Sequence, residues 1–307
     1  MKKLLSIIVL GLLLSGTVFA GEIKPLNKSG FIFNDGKRVK YIKDYKITDP
    51  DNTILVIFNH GLSGIKEKVC NWPSNVRQIS KLSGQKINGK EINVFMNCEH
   101  TRIGGKWCKK KQFMPLEEFV GDKALCENVV YFNRKQATVD LVKKFISEGV
   151  KPKHIFTTGH SWGGWNALRI AAFNRELINS SVAITPGCCD PKKKQKKGKL
   201  VTKEFEWFMY NIKSAKEINA LVFSSPADKF ETPETIGFLK NIKGIEFVEL
   251  PGFEGKKKEI KVNGKVCKWD FHDQNNEKIK DGHYIYNSSC FDPYFDVIKN
   301  YIASRMK

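Results

Sequence analysis

Past residue 20 the chain has no apolar run long enough to cross a bilayer, so residues 21–307 contain no predicted membrane-spanning helix. It lacks the G-x-x-x-x-G-K-[ST] phosphate loop and the dinucleotide fingerprint, and no organic cofactor is expected. Cysteines never fall in the paired C-x-x-C spacing of a zinc site. The fragments Cys98-x-His100 and Cys188-Cys189-Asp190 do not supply it either, so no metal is expected. There is no repeat period and no recognisable nucleic-acid-binding module, which removes sequence-specific nucleic-acid binding from the expected functions. Acidic residues are scarce. Against 52 Lys and Arg stand 32 Asp and Glu, a formal charge of +20, or +18 once Lys2 and Lys3 are discounted.

That basic excess is concentrated in three runs: Lys109-Lys110-Lys111, Lys192 to Lys199 and Lys256-Lys257-Lys258. Such runs ordinarily form solvated surface. Their functional alternative is attraction to an anionic surface such as a membrane leaflet, acidic polysaccharide or nucleic acid, without sequence specificity. Lys2 and Lys3, the apolar Leu4 to Leu14 and the small-x-small Val18-Phe19-Ala20 read as a signal peptide over residues 1–20, cleaved before Gly21. The mature chain is therefore expected to be exported, to the periplasm or beyond it. Eight cysteines, an even number, agree with an oxidising compartment. Residues 21–307 suit one large α/β domain.

Apolar patterning gives a succession of elements. Phe31-Ile32-Phe33 and Val39 to Ile42 flank Asn34-Asp35-Gly36-Lys37, a hairpin signal. Thr53 to Phe58 is a continuous apolar run, as in a strand covered on both faces. Ile92 to Met96 gives a second strand. Ala137, Leu141, Val142, Phe145 and Ile146 recur at helical spacing over Gln136 to Glu148, with Gly149 as the stop. Val182 to Ile184, Ala220 to Ser224 and Glu246 to Leu250 predict further strands, and Phe291 to Met306 a closing helix. Between them lie an aromatic- and lysine-rich excursion over residues 188–217 and a basic insertion over 255–280. In the insertion Asn263-Gly264 signals a hairpin between Ile260-Val262 and Val266. Strands alternating with helices imply a mostly parallel twisted sheet with helices on both faces.

The stretch that organises the chain is Lys153 to Asn174. His154 to Thr158 reads as a buried strand and Trp162 to Phe173 as a helix. Between them Gly159-His160-Ser161-Trp162-Gly163-Gly164 supplies G-x-S-x-G in the strand–turn–helix setting that gives the motif its meaning. With these residues the chain resembles the α/β-hydrolase superfamily, over nearly all of residues 21–307. The fold expected from the resemblance is the α/β-hydrolase fold, with 188–217 as a lid.

The resemblance implies a nucleophile, an acid and a base in the chain order Ser, Asp or Glu, His. Ser161 is the nucleophile. Asp228 follows the strand Leu221-Val222-Phe223, with Pro233 soon after to start the next helix, and is the acid. Asp190 is an alternative acid and Glu231 a weaker one. Of the histidines beyond Asp228, His283 in Asp281-Gly282-His283-Tyr284 matches the base, whereas His272 sits in the basic insertion as a surface residue. His60-Gly61-Leu62 resembles the family's oxyanion loop, so the backbone N–H groups of Leu62 and Trp162 would receive the oxyanion, with His60 a structural hydrogen-bonder. Cys267 and Cys290 bracket His283 and are expected to pair, pinning that loop. The adjacent Cys188 and Cys189 would bond to other segments. Within the superfamily the G-H-S-x-G-G elbow looks most like the dienelactone-hydrolase-like and esterase branches, although enzymes named for dienelactone hydrolysis carry cysteine where this chain has Ser161. The implied activity is hydrolysis of a small-molecule or polymer-borne carboxylic ester through an acyl-enzyme. Peptidase or acyltransferase chemistry on the same triad is the alternative, and a non-catalytic binder of anionic surfaces is the alternative outside enzymes.

Overall fold

The computed structural model describes residues 29–34, 39–61, 73–98, 126–187, 212–256, 259–269 and 280–307. Among them are fifteen α-helices and strands. They are β1 (Gly30–Asn34), β2 (Val39–Ile42), β3 (Thr53–Asn59), α1 (Pro73–Ile79), β4 (Lys86–Ile87), β5 (Lys90–Asn97) and α2 (Cys126–Ser147). There follow β6 (Ile155–His160), α3 (Trp162–Phe173), β7 (Ser180–Ile184), β8 (Glu217–Ser224), β9 (Lys243–Glu249), the pair β10 (Lys261–Val262) and β11 (Lys265–Val266), and α4 (Tyr294–Arg305). The main sheet runs β2-β1-β5-β3-β6-β7-β8-β9, with β4 paired to β5. From β5 to β9 along that order every pairing is parallel, and β1 joins its two neighbours antiparallel.

Alternation along the central strands explains why the sheet is covered twice. On β3, Ile54, Val56 and Phe58 face one side, and Leu55 and Ile57 the other; all five are fully buried. The first side packs against Val76 and Ile79 of α1 and Phe295, Ile298 and Ile302 of α4. The second packs against Val139, Val142 and Phe145 of α2 and Trp165, Leu168 and Ala171 of α3. A strand with apolar groups on both faces is stable only between two layers, and each fully buried Phe, Leu, Ile or Val side chain contributes roughly 1.5–3 kcal/mol.

Most expected elements form where the patterning puts them. The opening hairpin pairs Phe31 with Ile42 and Asn34 with Val39, although its turn, 35–38, lies outside the described residues. In the basic insertion Lys261 pairs with Val266, and the turn residues Asn263 and Gly264 both have positive φ, +51° and +75°, which is the primed turn that Asn-Gly favours. Three differences have local causes. The closing helix starts at Tyr294 rather than Phe291, because Ser288 caps a separate 3-10 turn over Ser289–Phe291 before Pro293. β8 begins at Glu217 rather than Ala220, with Ile218 fully buried. After Pro233 there is no α-helix. Turns lead into a 3-10 segment, Gly237–Asn241, that seats Ile236 and Leu239 in the core.

The Cys267–Cys290 disulfide is present, with Cα atoms 5.2 Å apart. Cys98 is also disulfide-bonded. Residues 1–20, Leu62, His100, Lys109 to Lys111, Cys188 to Lys199, the aromatics of 205–210 and His272 lie outside the described residues. Among the described residues no helix is long and apolar enough to cross a membrane.

Candidate active site

In a parallel sheet the carboxyl ends of all strands open onto one edge, where connecting loops can converge. Asn59-His60-Gly61 leaves β3 there, Ser161 leaves β6, Pro186-Gly187 follows β7 and Ser225 to Asp228 follow β8. Ser161 is held at φ +59°, ψ −125°, a conformation that L-residues avoid. Its amide donates to the Ile184 carbonyl (3.2 Å), and its own carbonyl accepts from Gly164 (2.9 Å) and Trp165 (3.3 Å) as α3 begins. The strand end and the helix start thus force the turn, and the turn lifts Oγ above the sheet edge. The first N–H groups of a helix have no acceptor within it and carry partial positive charge, so the Trp162 end of α3 favours an anion beside Ser161.

Three predicted side chains meet. Ser161 Oγ lies 2.8 Å from His283 Nε2, and His283 Nδ1 lies 2.9 Å from Asp228 Oδ2. The second Asp228 oxygen accepts the amides of Phe230 (2.7 Å) and Glu231 (3.2 Å), so the carboxylate is fixed before it meets the ring. These partners define the tautomer: Nδ1–H donates to Asp228, and Nε2 is left to accept from the Ser161 hydroxyl. Glu231, the weaker alternative acid, is 1% exposed and accepts from the Thr235 hydroxyl (3.0 Å). Asp190, the other alternative, and Leu62, the other proposed oxyanion donor, fall outside the described residues.

His60 behaves as a structural hydrogen-bonder: its Nδ1 donates to the Gly61 carbonyl (2.6 Å), and its own carbonyl accepts from Arg134 Nη2 (2.5 Å). Beneath it lies a polar knot that patterning did not reveal. Asn59 Oδ1 accepts from Asn97 (3.1 Å), Asn166 (3.1 Å) and Thr138 (3.0 Å), joining β3, β5, α3 and α2. All four side chains are buried. Buried amides placed in this way are satisfied only in one arrangement of the four elements, so they specify the approach of α3 to β3.

His160, the variable residue of the elbow motif, is also structural. Its ring stacks on Tyr286 (5.5 Å between centroids), and its Nε2 lies 2.7 Å from the His283 carbonyl. Burial first, and then the nearby His283, push its pKa down to about 3, so His160 is neutral at ordinary pH and its Nε2–H is the donor. Thr185 Oγ donates to the same carbonyl (3.1 Å). The Phe230 ring lies 4.5 Å from that of His283 and leaves its Nε2 edge facing Ser161.

Gly187 leaves room for the His283 ring. A Cβ there would come within 2.4 Å of His283 Cε1 and 3.1 Å of Nδ1. Gly187→Ala is therefore expected to push the imidazole off Ser161 and lower kcat by about a hundredfold, the usual consequence of a misplacement near 1 Å. Steady-state ester kinetics on the folded variant check this, and an undiminished kcat would contradict the placement of His283.

Among the described residues no group of three or more His, Cys, Asp and Glu could hold a metal ion. The arrangement can perform nucleophilic chemistry: a hydroxyl at the mouth of a helix, a base to take its proton and a carboxylate to hold the base.

No protein-family model and no curated protein sequence matches the chain. Among solved structures it is similar to the esterase Est1E from Butyrivibrio proteoclasticus (16% identity, 91% of this chain and 97% of that one, TM-score 0.45). It is also similar to the Pyrococcus furiosus esterase Pf2001 (14% identity, 91% of each chain, TM-score 0.46). A third is a phospholipase/carboxylesterase from Dyadobacter fermentans (12% identity, 77% of this chain and 94% of that one, TM-score 0.41). A doubly covered, mostly parallel sheet, a strained serine between strand and helix, and acid and histidine following in that order make this the α/β-hydrolase fold.

Proposed function

We propose that the protein is an exported serine hydrolase that cleaves carboxylic esters, with Ser161 as nucleophile, His283 as general base and Asp228 as the acid that orients it. The observation that carries the reading is the continuous chain of contacts from Ser161 Oγ through His283 to Asp228, at 2.8 and 2.9 Å. As Oγ attacks the acyl carbon, Nε2 takes its proton, and Asp228 stabilises the imidazolium that results. The tetrahedral oxygen develops negative charge beside the start of α3, where the Trp162 amide and that of Leu62 are the proposed donors. Losing one such donor typically costs about a hundredfold or more in rate. The imidazolium then protonates the leaving alkoxide. Water, activated by the same nitrogen, releases the acid and restores Ser161. Export is supported by the leader pattern of residues 1–20 and by cysteines in disulfides. The lysine-rich runs would draw such an enzyme toward anionic surfaces or polysaccharide carrying its ester.

Labelling of the oxidised protein with a fluorophosphonate tests the assignment. The adduct is expected on Ser161 and absent in Ser161→Ala and His283→Ala, and a p-nitrophenyl ester series on the same samples sizes the acyl pocket. A folded, oxidised protein that takes no label would overturn the hydrolase reading and favour the anionic-surface binder.

A further inference from the structure

The acid and the base of the site sit on separate loops, and Asp228 touches the His283 ring through one contact only. A second carboxylate also joins the two loops. Asp281 is 4% exposed, and one of its oxygens, Oδ1, accepts two amides: that of His283 (3.0 Å) and that of Lys229 (3.1 Å), the residue after the acid. Its other oxygen faces the Lys229 ammonium at 3.9 Å, on a side chain that is mostly exposed. Between these contacts the Gly282 amide donates to the Ala227 carbonyl (2.9 Å). Residues 281–282 are thus tied to 227–229 by one backbone bond and by the Asp281 side chain.

We propose that Asp281 is a positioning residue for the triad: through a single oxygen it ties the amide of the base to the amide following the acid, and so fixes the distance from His283 to Asp228. The proposal rests on the hydrolase reading for its kinetic consequence, although not for its geometry. It accounts for a feature that a simple cap does not. As cap of the 3-10 turn Gly282–Asn287, the side chain needs only the His283 amide. The bond to Lys229 crosses to another loop and adds nothing to the turn. The opposite side of the base is held separately, where its carbonyl accepts from His160 and Thr185. Lateral drift of the ring relative to Asp228 is then limited by Asp281 alone of these three side chains, because the other two reach from β6 and the end of β7 rather than from the acid loop.

Two substitutions separate capping from positioning. Asp281→Ser can cap the turn but is one bond too short to reach Lys229, whereas Asp281→Asn keeps an oxygen where Oδ1 stands. Asp281→Ser is expected to fold, to keep KM within about twofold and to lose kcat by roughly thirty- to a hundredfold, whereas Asp281→Asn recovers kcat to within about threefold of the parent. The low-field proton resonance of His283 Nδ1–H provides a measure that needs no turnover. It should be sharp in the parent and in Asp281→Asn, and broadened or lost in Asp281→Ser. A parent that hydrolyses no ester but shows this resonance pattern would fail the hydrolase reading and leave the clamp supported. An Asp281→Ser protein with the parent's kcat, or with an unchanged resonance, would overturn the proposal and reduce Asp281 to a cap.

Discussion

Ser161→Ala is expected to lower kcat/KM for an activated ester by about 10⁵-fold or more, since removing the nucleophile of a triad removes nearly all that the triad contributes. Its stability should scarcely change, because the methyl group keeps the Cβ and the backbone keeps φ +59°, ψ −125°. Ser161→Gly should be equally inactive but more stable. Holding an L-residue in such a region costs of order 1–3 kcal/mol, which glycine does not incur. Part of that gain is offset by the greater freedom of glycine in the unfolded chain, roughly 0.5–1 kcal/mol. A net gain of about 1 kcal/mol, or some 2–4 °C in Tm, is expected for a domain of this size. Denaturation of the two variants side by side checks the cause. A Gly variant no more stable than the Ala variant would mean that the turn stores no strain, and that the elbow is positioned by something else.

The largest expected effect on stability lies two residues further on. A Cβ at Gly163 would stand 1.9 Å from the Asn59 carbonyl oxygen, 2.6 Å from its carbon and 2.8 Å from the His60 oxygen. All three atoms are backbone, so no rotamer change relieves the overlap. Either α3 moves away from β3, breaking the Asn59–Asn166 contact, or the His60-Gly61 strand end moves out. Gly163→Ala is expected to destabilise the fold by about 4 kcal/mol or more, in the range reserved for overpacking and broken buried networks. Any folded fraction should also turn over poorly, because the loop proposed to receive the oxyanion leaves β3 at this point. Urea denaturation gives the first quantity. A loss below about 1 kcal/mol would contradict the close approach of α3 to β3.

Ser161, Asp228 and His283 are legible in a five-residue motif, its two flanks and a chain order, and the structure brings the three together. Strands such as Thr53 to Phe58 were legible because being covered on both faces demands an unbroken apolar run. The Asn263-Gly264 hairpin was legible because the turn needs positive φ at both positions. No role for Asp281, His160, Thr185 or Gly187 is legible in the sequence. Nothing local distinguishes an aspartate that caps its own turn from one that also bonds a loop more than fifty positions away.

By itself the sequence determined the alternation of strands and helices, the elbow turn and the chain order of Ser161, Asp228 and His283, because each depends on residue type and spacing within a few positions. The tertiary structure decided the register between loops: Asn59 at the centre of a buried amide knot, Asp281 accepting the amides of both His283 and Lys229, and Gly187 beside the imidazole. Those facts depend on which strand lies beside which, and that order is set by the packing of two apolar faces over the whole sheet rather than by any short stretch of chain.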